Sequence, residues 1–93
     1  MNINIDYDDT YTADPDMWDE IIETMHKHGC VVYCITKRLG SLDERKPQIP
    51  VIHAVKSKLE ASIASDVKID IWIDDKPQSI TPYRLIKPKR YNY

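Results

Sequence analysis

The feature that most constrains this chain is an alternation of β-prone runs with helical stretches. Asn2 to Tyr7 read as a first strand, with Ile3 and Ile5 forming its apolar side. "ADPDMWDEIIETMHKHG" reads as a helix. Asp14 is placed to cap it, Pro15 suits its first turn, and Asp16, Asp19 and Glu20 favour the positive end of the helix dipole. Trp18, Ile21, Ile22 and Met25 recur at helical spacing and predict a core-facing stripe. His26, Lys27 and His28 suit the negative end, and Gly29 is a stop signal. "CVVYCIT" is a nearly continuous apolar run, the pattern of a parallel strand covered on both faces. After a polar loop over 37–50 come a third strand, "VIHAV" (51–55), a second helix, "SKLEASIAS", with Ser57 and Glu60 at capping-box spacing, and a fourth strand, "IDIWI" (69–73). Tyr83–Ile86, bracketed by Pro82 and Pro88, predicts one more short edge strand.

Strand, helix, strand, loop, strand, helix, strand is the order of an α/β Rossmann-like sandwich. The expectation is one domain over residues 1–93, with a small, mostly parallel sheet in the order 4-1-2-3 and helices on both faces. With 93 residues the core is modest. Right-handed crossovers bring the carboxyl ends of parallel strands to one rim, where open α/β sheets bind ligands. Asp6 to Thr10, Thr36, and Asp74 with Asp75 should therefore meet, although the sequence scatters them.

Charge sharpens that expectation. The first 23 residues hold eight acids (Asp6, Asp8, Asp9, Asp14, Asp16, Asp19, Glu20, Glu23) and no Lys or Arg, while the last ten hold four bases and no acid. Asp9, Asp14 and Asp16 suit turns and caps. Asp6, Asp8, Asp74 and Asp75 form clusters at equivalent strand ends, and carboxylates sharing a concave site do not all stay ionised without a cation. Hard oxygen donors with room for water suit Mg²⁺, and Mg²⁺ commonly accompanies a phosphoryl group. Thr36 ends the second strand, and Lys56 and Lys58 flank the start of the second helix. A hydroxyl and an amine there would stabilise phosphoryl oxygens, and one carboxylate could attack phosphorus while a second protonates the leaving group.

D-x-D-x-T after a strand, a strand ending in Thr, a Lys, and a strand ending in D-D, in that order, resemble the haloacid dehalogenase (HAD) superfamily of phosphohydrolases. More narrowly, "IDYDDTYTADPDMW", "VYCITKR" and "IDIWIDDKP" look like a compact, capless HAD-like group of phage and bacterial small proteins. The resemblance covers most of residues 2–78. It implies Asp6 as nucleophile and metal ligand, and Asp8 as general acid and then base, with its backbone carbonyl completing the metal site. Thr10 would support the first loop and Thr36 would hold a phosphoryl oxygen. Lys58 would offset charge on the phosphoaspartate, preferred over Lys56 because the capping box puts it on the first turn, aimed at the rim. Asp74 would be the main acidic Mg²⁺ ligand, with Asp75 beside it. The family's β-hairpin flap has no room here, because Asp9 to Thr12 run almost directly into the first helix. The site would be open to water unless loop 37–50 or a second copy of the chain covers it.

Two further expectations remain open beside a phosphomonoesterase. One is a HAD-like binding protein that keeps the metal and phosphate pocket but turns over little. The other is an enzyme for phosphorylated nucleic-acid ends, prompted by the basic, Tyr-rich segment 79–93. Cys30 and Cys34 would lie roughly 13 Å apart in a strand, too far for a disulfide, and suit reduced thiols of a cytoplasmic protein. No basic segment precedes an apolar one at the N-terminus, so a secretory signal is not expected, and no run is long enough to span a membrane. His26 and His28 read as helix-end cations, His53 as a core or edge histidine, and Trp18 and Trp72 as core aromatics.

Overall fold

A computed structural model describes residues 1–42 and 45–82. Its elements are β1 (Asn2–Ile5), a 3₁₀ turn at Tyr11–Ala13, α1 (Pro15–Lys27), β2 (Val31–Thr36), β3 (Val51–His53), α2 (Lys58–Ala64), β4 (Ile71–Ile73) and a second 3₁₀ turn at Pro77–Ser79. The four strands form one sheet in the order β3-β2-β1-β4, and every pair is parallel. Read from the other edge, this is the 4-1-2-3 order expected from the alternation. The expected edge strand at 83–86 and the basic segment beyond it lie outside the described residues.

Local chemistry sets the helix ends. Asp14 caps α1 by accepting from Met17 N–H at 3.2 Å, with Pro15 as the first helical residue. Gly29 ends the helix at φ 81°, a left-handed conformation that glycine adopts without steric cost. Ser57 caps α2 by accepting from Glu60 N–H at 3.1 Å. The strands are shorter than the apolar patterns predict, β2 by Cys30 alone. β1 stops at Ile5 because residues 7–10 turn, with Asp9 at φ 62°. β3 stops at His53, and Val55 projects into solvent at 78% exposure. Ile69 and Asp70 precede β4 rather than belonging to it.

Strand register sorts the side chains. Ile3 pairs with Val32 and Ile71, Ile5 with Ile73, and Cys34 with Val51, so these residues share one face. The main core forms there: Ile5, Val32, Cys34, and Ile22 of α1 are buried with Tyr7, Tyr11 and Leu42, and Trp18 and Met25 pack against them. From β1 to β2 the chain moves one way across the sheet; from β3 to β4 it moves back across both inner strands. Right-handed crossovers then place α1 and α2 on opposite faces. Cys30 and Cys34 are free thiols, and burial pushes the Cys34 thiol up to about 12, so Cys34 packs as a small apolar residue. Among the described residues, no helix is long and apolar enough to cross a membrane.

Candidate functional site

All strands run parallel, so their carboxyl ends share one rim. β1 delivers Asp6 and Asp8, β2 delivers Thr36, α2 begins with Lys58, and β4 is followed by Asp74 and Asp75. These six residues line a single cleft of about 260 Å³, together with Lys37, Lys76 and Ser79. Lys56 lines the neighbouring groove instead, and its carbonyl accepts from the Lys37 ammonium.

The turn after β1 separates what goes into the core from what goes into the cleft. Tyr7 is 1% exposed, stacks on Tyr11 with ring centroids 6.0 Å apart, and donates its hydroxyl to the Arg45 carbonyl. Tyr11 donates to Asp19 at 2.8 Å. Tyr11 N–H also donates to Asp6 C=O at 3.1 Å, and Asp6 N–H to Ile73 C=O at 2.9 Å. Asp6 is thus held by its main chain between β4 and the 3₁₀ turn, with its carboxyl left for the cleft.

Lys58 is the cationic centre of the site. Its ammonium donates to Asp6 Oδ1 at 2.6 Å and to Asp74 Oδ2 at 2.5 Å, and the three side chains are 3%, 9% and 1% exposed. Burial works against the lysine charge, but the two carboxylates outweigh it and hold its pKa above the ordinary value. Asp74 Oδ1 accepts from Lys76 N–H at 2.8 Å, and Thr10 donates to Asp75 Oδ1 at 3.2 Å. The last contact ties the first acidic loop to the second.

Asp6, Asp74 and Asp75 can each offer a carboxylate oxygen within 4.8 Å of the others. One buried lysine does not neutralise this cluster. Burial pushes the Asp6 carboxyl up to about 6; Lys58 opposes that, while Asp75 and Asp74 reinforce it. The hydrogen bond with Asp6 holds the exposed Asp75 carboxyl below the usual range. A proton on Asp6 shared with Asp75 is what a cluster short of positive charge takes up. Three carboxylates are also a donor set that fits a hard divalent cation. A cation and that proton compete for Asp6, so lowering the pH should weaken binding. If the cluster holds Mg²⁺, calorimetric titration should give an affinity that falls about tenfold per pH unit below about 6 and levels off above it. An affinity flat from pH 5 to 8 would place the cation elsewhere.

Asp8 lies in the cleft but outside that cluster. Arg38 holds it through Nη2 to Oδ1 at 2.8 Å and Nε to Oδ2 at 3.3 Å. The two side chains are 35% and 44% exposed, and a pair so open to solvent is worth about 0–1 kcal/mol. Thr36 is buried, and its Oγ1 accepts from Arg38 N–H at 3.1 Å, which leaves its own O–H to donate. Sequence alone assigns no role to Lys37, Arg38, Lys76 or Ser79. Lys37 and Lys76 directly follow motif residues in "TKR" and "DDK" and Arg38 stands one place further on, which is the available signal; Ser79 comes in through the second 3₁₀ turn and has none.

Comparison of the chain with protein-family models, with curated proteins and with solved structures finds no match in any of the three. The chemistry is therefore read from the cleft's own residues.

Proposed function

We propose that the chain is a Mg²⁺-dependent phosphohydrolase that cleaves phosphomonoesters through an aspartyl-phosphate on Asp6. The observation that carries this is Lys58, buried between Asp6 and Asp74, with Asp75 within reach of both carboxylates and Thr36 on the same cleft. The order and spacing of these residues resemble the HAD phosphohydrolases, which supports the same assignment. Asp6, Asp74 and Asp75 would hold Mg²⁺, with the Asp8 backbone carbonyl as the further ligand the resemblance implies. When bound, the ion offsets negative charge on the carboxylates and on the phosphoryl oxygens.

The chain's own groups then divide the work. An Asp6 carboxylate oxygen attacks phosphorus, and the bond from phosphorus to the leaving oxygen breaks. Asp8 gives its proton to that oxygen, so an alcohol departs. In the second half Asp8 takes a proton from water, the water oxygen bonds to phosphorus, and the bond to Asp6 breaks to release inorganic phosphate. Thr36 O–H donates to one phosphoryl oxygen, and Lys58 stabilises the charge on Asp6 throughout. Purified protein should release phosphate from p-nitrophenyl phosphate in Mg²⁺, and EDTA should stop it.

One observation favours a second reading, a binding protein with the same pocket. Asp8, the proposed acid, is engaged by Arg38, and the residues from Asp9 to Asp14 form only a tight turn leading into α1. In that case Mg²⁺ with beryllofluoride should raise the melting temperature while a phosphatase screen stays flat. Action on nucleic-acid phosphate ends rests on the basic segment outside the described residues and carries less.

A further inference from the structure

Arg38 stands beside the cleft, bonded to Asp8 of its lining, without a part in the phosphoryl transfer just described. Its guanidinium grips Asp8 with two hydrogen bonds and lies over the Tyr7 ring, 5.7 Å from the centroid. Its main chain is fixed as well: the N–H donates to Thr36 Oγ1, and the carbonyl meets His53 Nδ1 at 2.6 Å. The fork is thus presented from a defined place beside Asp8. A fork that fits a carboxylate also fits a phosphate. The pair is half open to solvent, so an arriving anion can compete for it. While the pair is closed, each Asp8 oxygen accepts one hydrogen bond from Arg38, and the guanidinium stands beside the carboxyl group that must meet the leaving oxygen.

We propose that Arg38 exchanges Asp8 for a second phosphate on the leaving-group side of the substrate, which makes bisphosphates the preferred substrate class. This rests on the phosphohydrolase reading above and narrows it. Arg38 is joined to Asp8, which meets the leaving oxygen, and not to Asp6, which meets phosphorus. The group it binds is therefore carried by the leaving group. The exchange itself makes and breaks no covalent bond: Arg38 trades the Asp8 carboxylate for a phosphate, and the released carboxylate takes up a proton from solvent, which it then hands to the leaving oxygen. Substrate arrival and release of the acid become one event, which suits a site whose first loop is only a tight turn leading into α1.

The test uses two substrate pairs in Mg²⁺: adenosine 3′,5′-bisphosphate against the adenosine monophosphates, and fructose 1,6-bisphosphate against fructose 6-phosphate. p-Nitrophenyl phosphate is the reference. Wild type should favour at least one bisphosphate by about tenfold or more in kcat/KM, chiefly through KM. Arg38→Met should bring that ratio close to one, and Arg38→Lys should fall between, because an ammonium keeps the charge but lacks the fork. A purely structural Arg38 would lower all substrates together and leave the ratio intact. Hydrolysis of the reference without preference for either bisphosphate, or a preference that survives Arg38→Met, overturns the Arg38 proposal and leaves the phosphohydrolase standing. If Arg38→Met does not fold, an unchanged ratio in Arg38→Lys overturns it. No hydrolysis of any substrate overturns both.

Discussion

Asp6→Asn should abolish phosphate release, lowering kcat by on the order of 10³-fold or more, while leaving the fold intact. The amide has the shape of the carboxyl group but is not a nucleophile, so the covalent step is lost rather than slowed. The fold should tolerate the change because Lys58 keeps Asp74 as a partner and the main-chain bonds from Asp6 N–H to Ile73 and from Tyr11 N–H to Asp6 are untouched. Removing one carboxylate from a cluster short of positive charge also relieves repulsion with Asp74 and Asp75. The cation-free variant should therefore melt no lower than wild type, yet lose most of the Mg²⁺-induced rise in melting temperature. Malachite-green phosphate assays and thermal melts with and without Mg²⁺ measure the two effects. Activity surviving in Asp6→Asn would mean that another group, or a contaminant, does the chemistry.

Lys58→Met is expected to be the most damaging single change to the fold. The side chain is 3% exposed and its ammonium is shared by two buried carboxylates. Taking away the shared cation leaves both buried without it, which costs about 3–5 kcal/mol by precedent for broken buried ion pairs. The sign with pH follows from the direction of the shift. The folded pKa of Lys58 is raised, so its contribution is fully present below the ordinary lysine pKa and is lost only as pH rises through the higher folded value. At pH 7 wild type therefore has all of it. In the variant the orphaned carboxylates are easier to protonate than to leave charged, so stability should recover as the pH falls. Urea denaturation at pH 8 and pH 5.5 should show the larger loss at pH 8. A variant as stable as wild type at pH 8 would contradict the central place given to Lys58. Activity should fall about 10²- to 10³-fold with it, as for loss of one preorganised electrostatic stabiliser.

The fold was legible where local and global signals agree. The alternation of strand and helix predicts a parallel sheet, and Asp14, Pro15 and Gly29 mark the ends of α1 by chemistry that acts within a turn. Strand ends were harder to read, because apolar residues continue past the last ladder bond. Val55 extends an apolar run but lies in solvent, and Tyr7 is apolar in pattern yet belongs to a turn whose ring enters the core. The convergence of Asp6, Asp8, Thr36, Lys58, Asp74 and Asp75 on one cleft follows from parallel strands having a common rim, so it could be anticipated without coordinates. Side-chain pairing could not. Arg38 meets Asp8, and Arg45 meets Asp16 and Asp19, across separations that no spacing rule encodes. That Lys58 and not Lys56 stands on the first turn of α2 was readable from the cap, since Ser57 fixes where the helix begins.

The most direct test of the account is to catch the covalent step. The protein should be mixed with p-nitrophenyl phosphate and Mg²⁺, quenched in acid within the first turnovers, and digested for peptide mass spectrometry. One phosphoryl group is expected on the peptide that carries Asp6, removed by hydroxylamine as an acyl phosphate is, and absent in Asp6→Asn or with EDTA. Phosphate release with no label on that peptide, or a label on another residue, would contradict it.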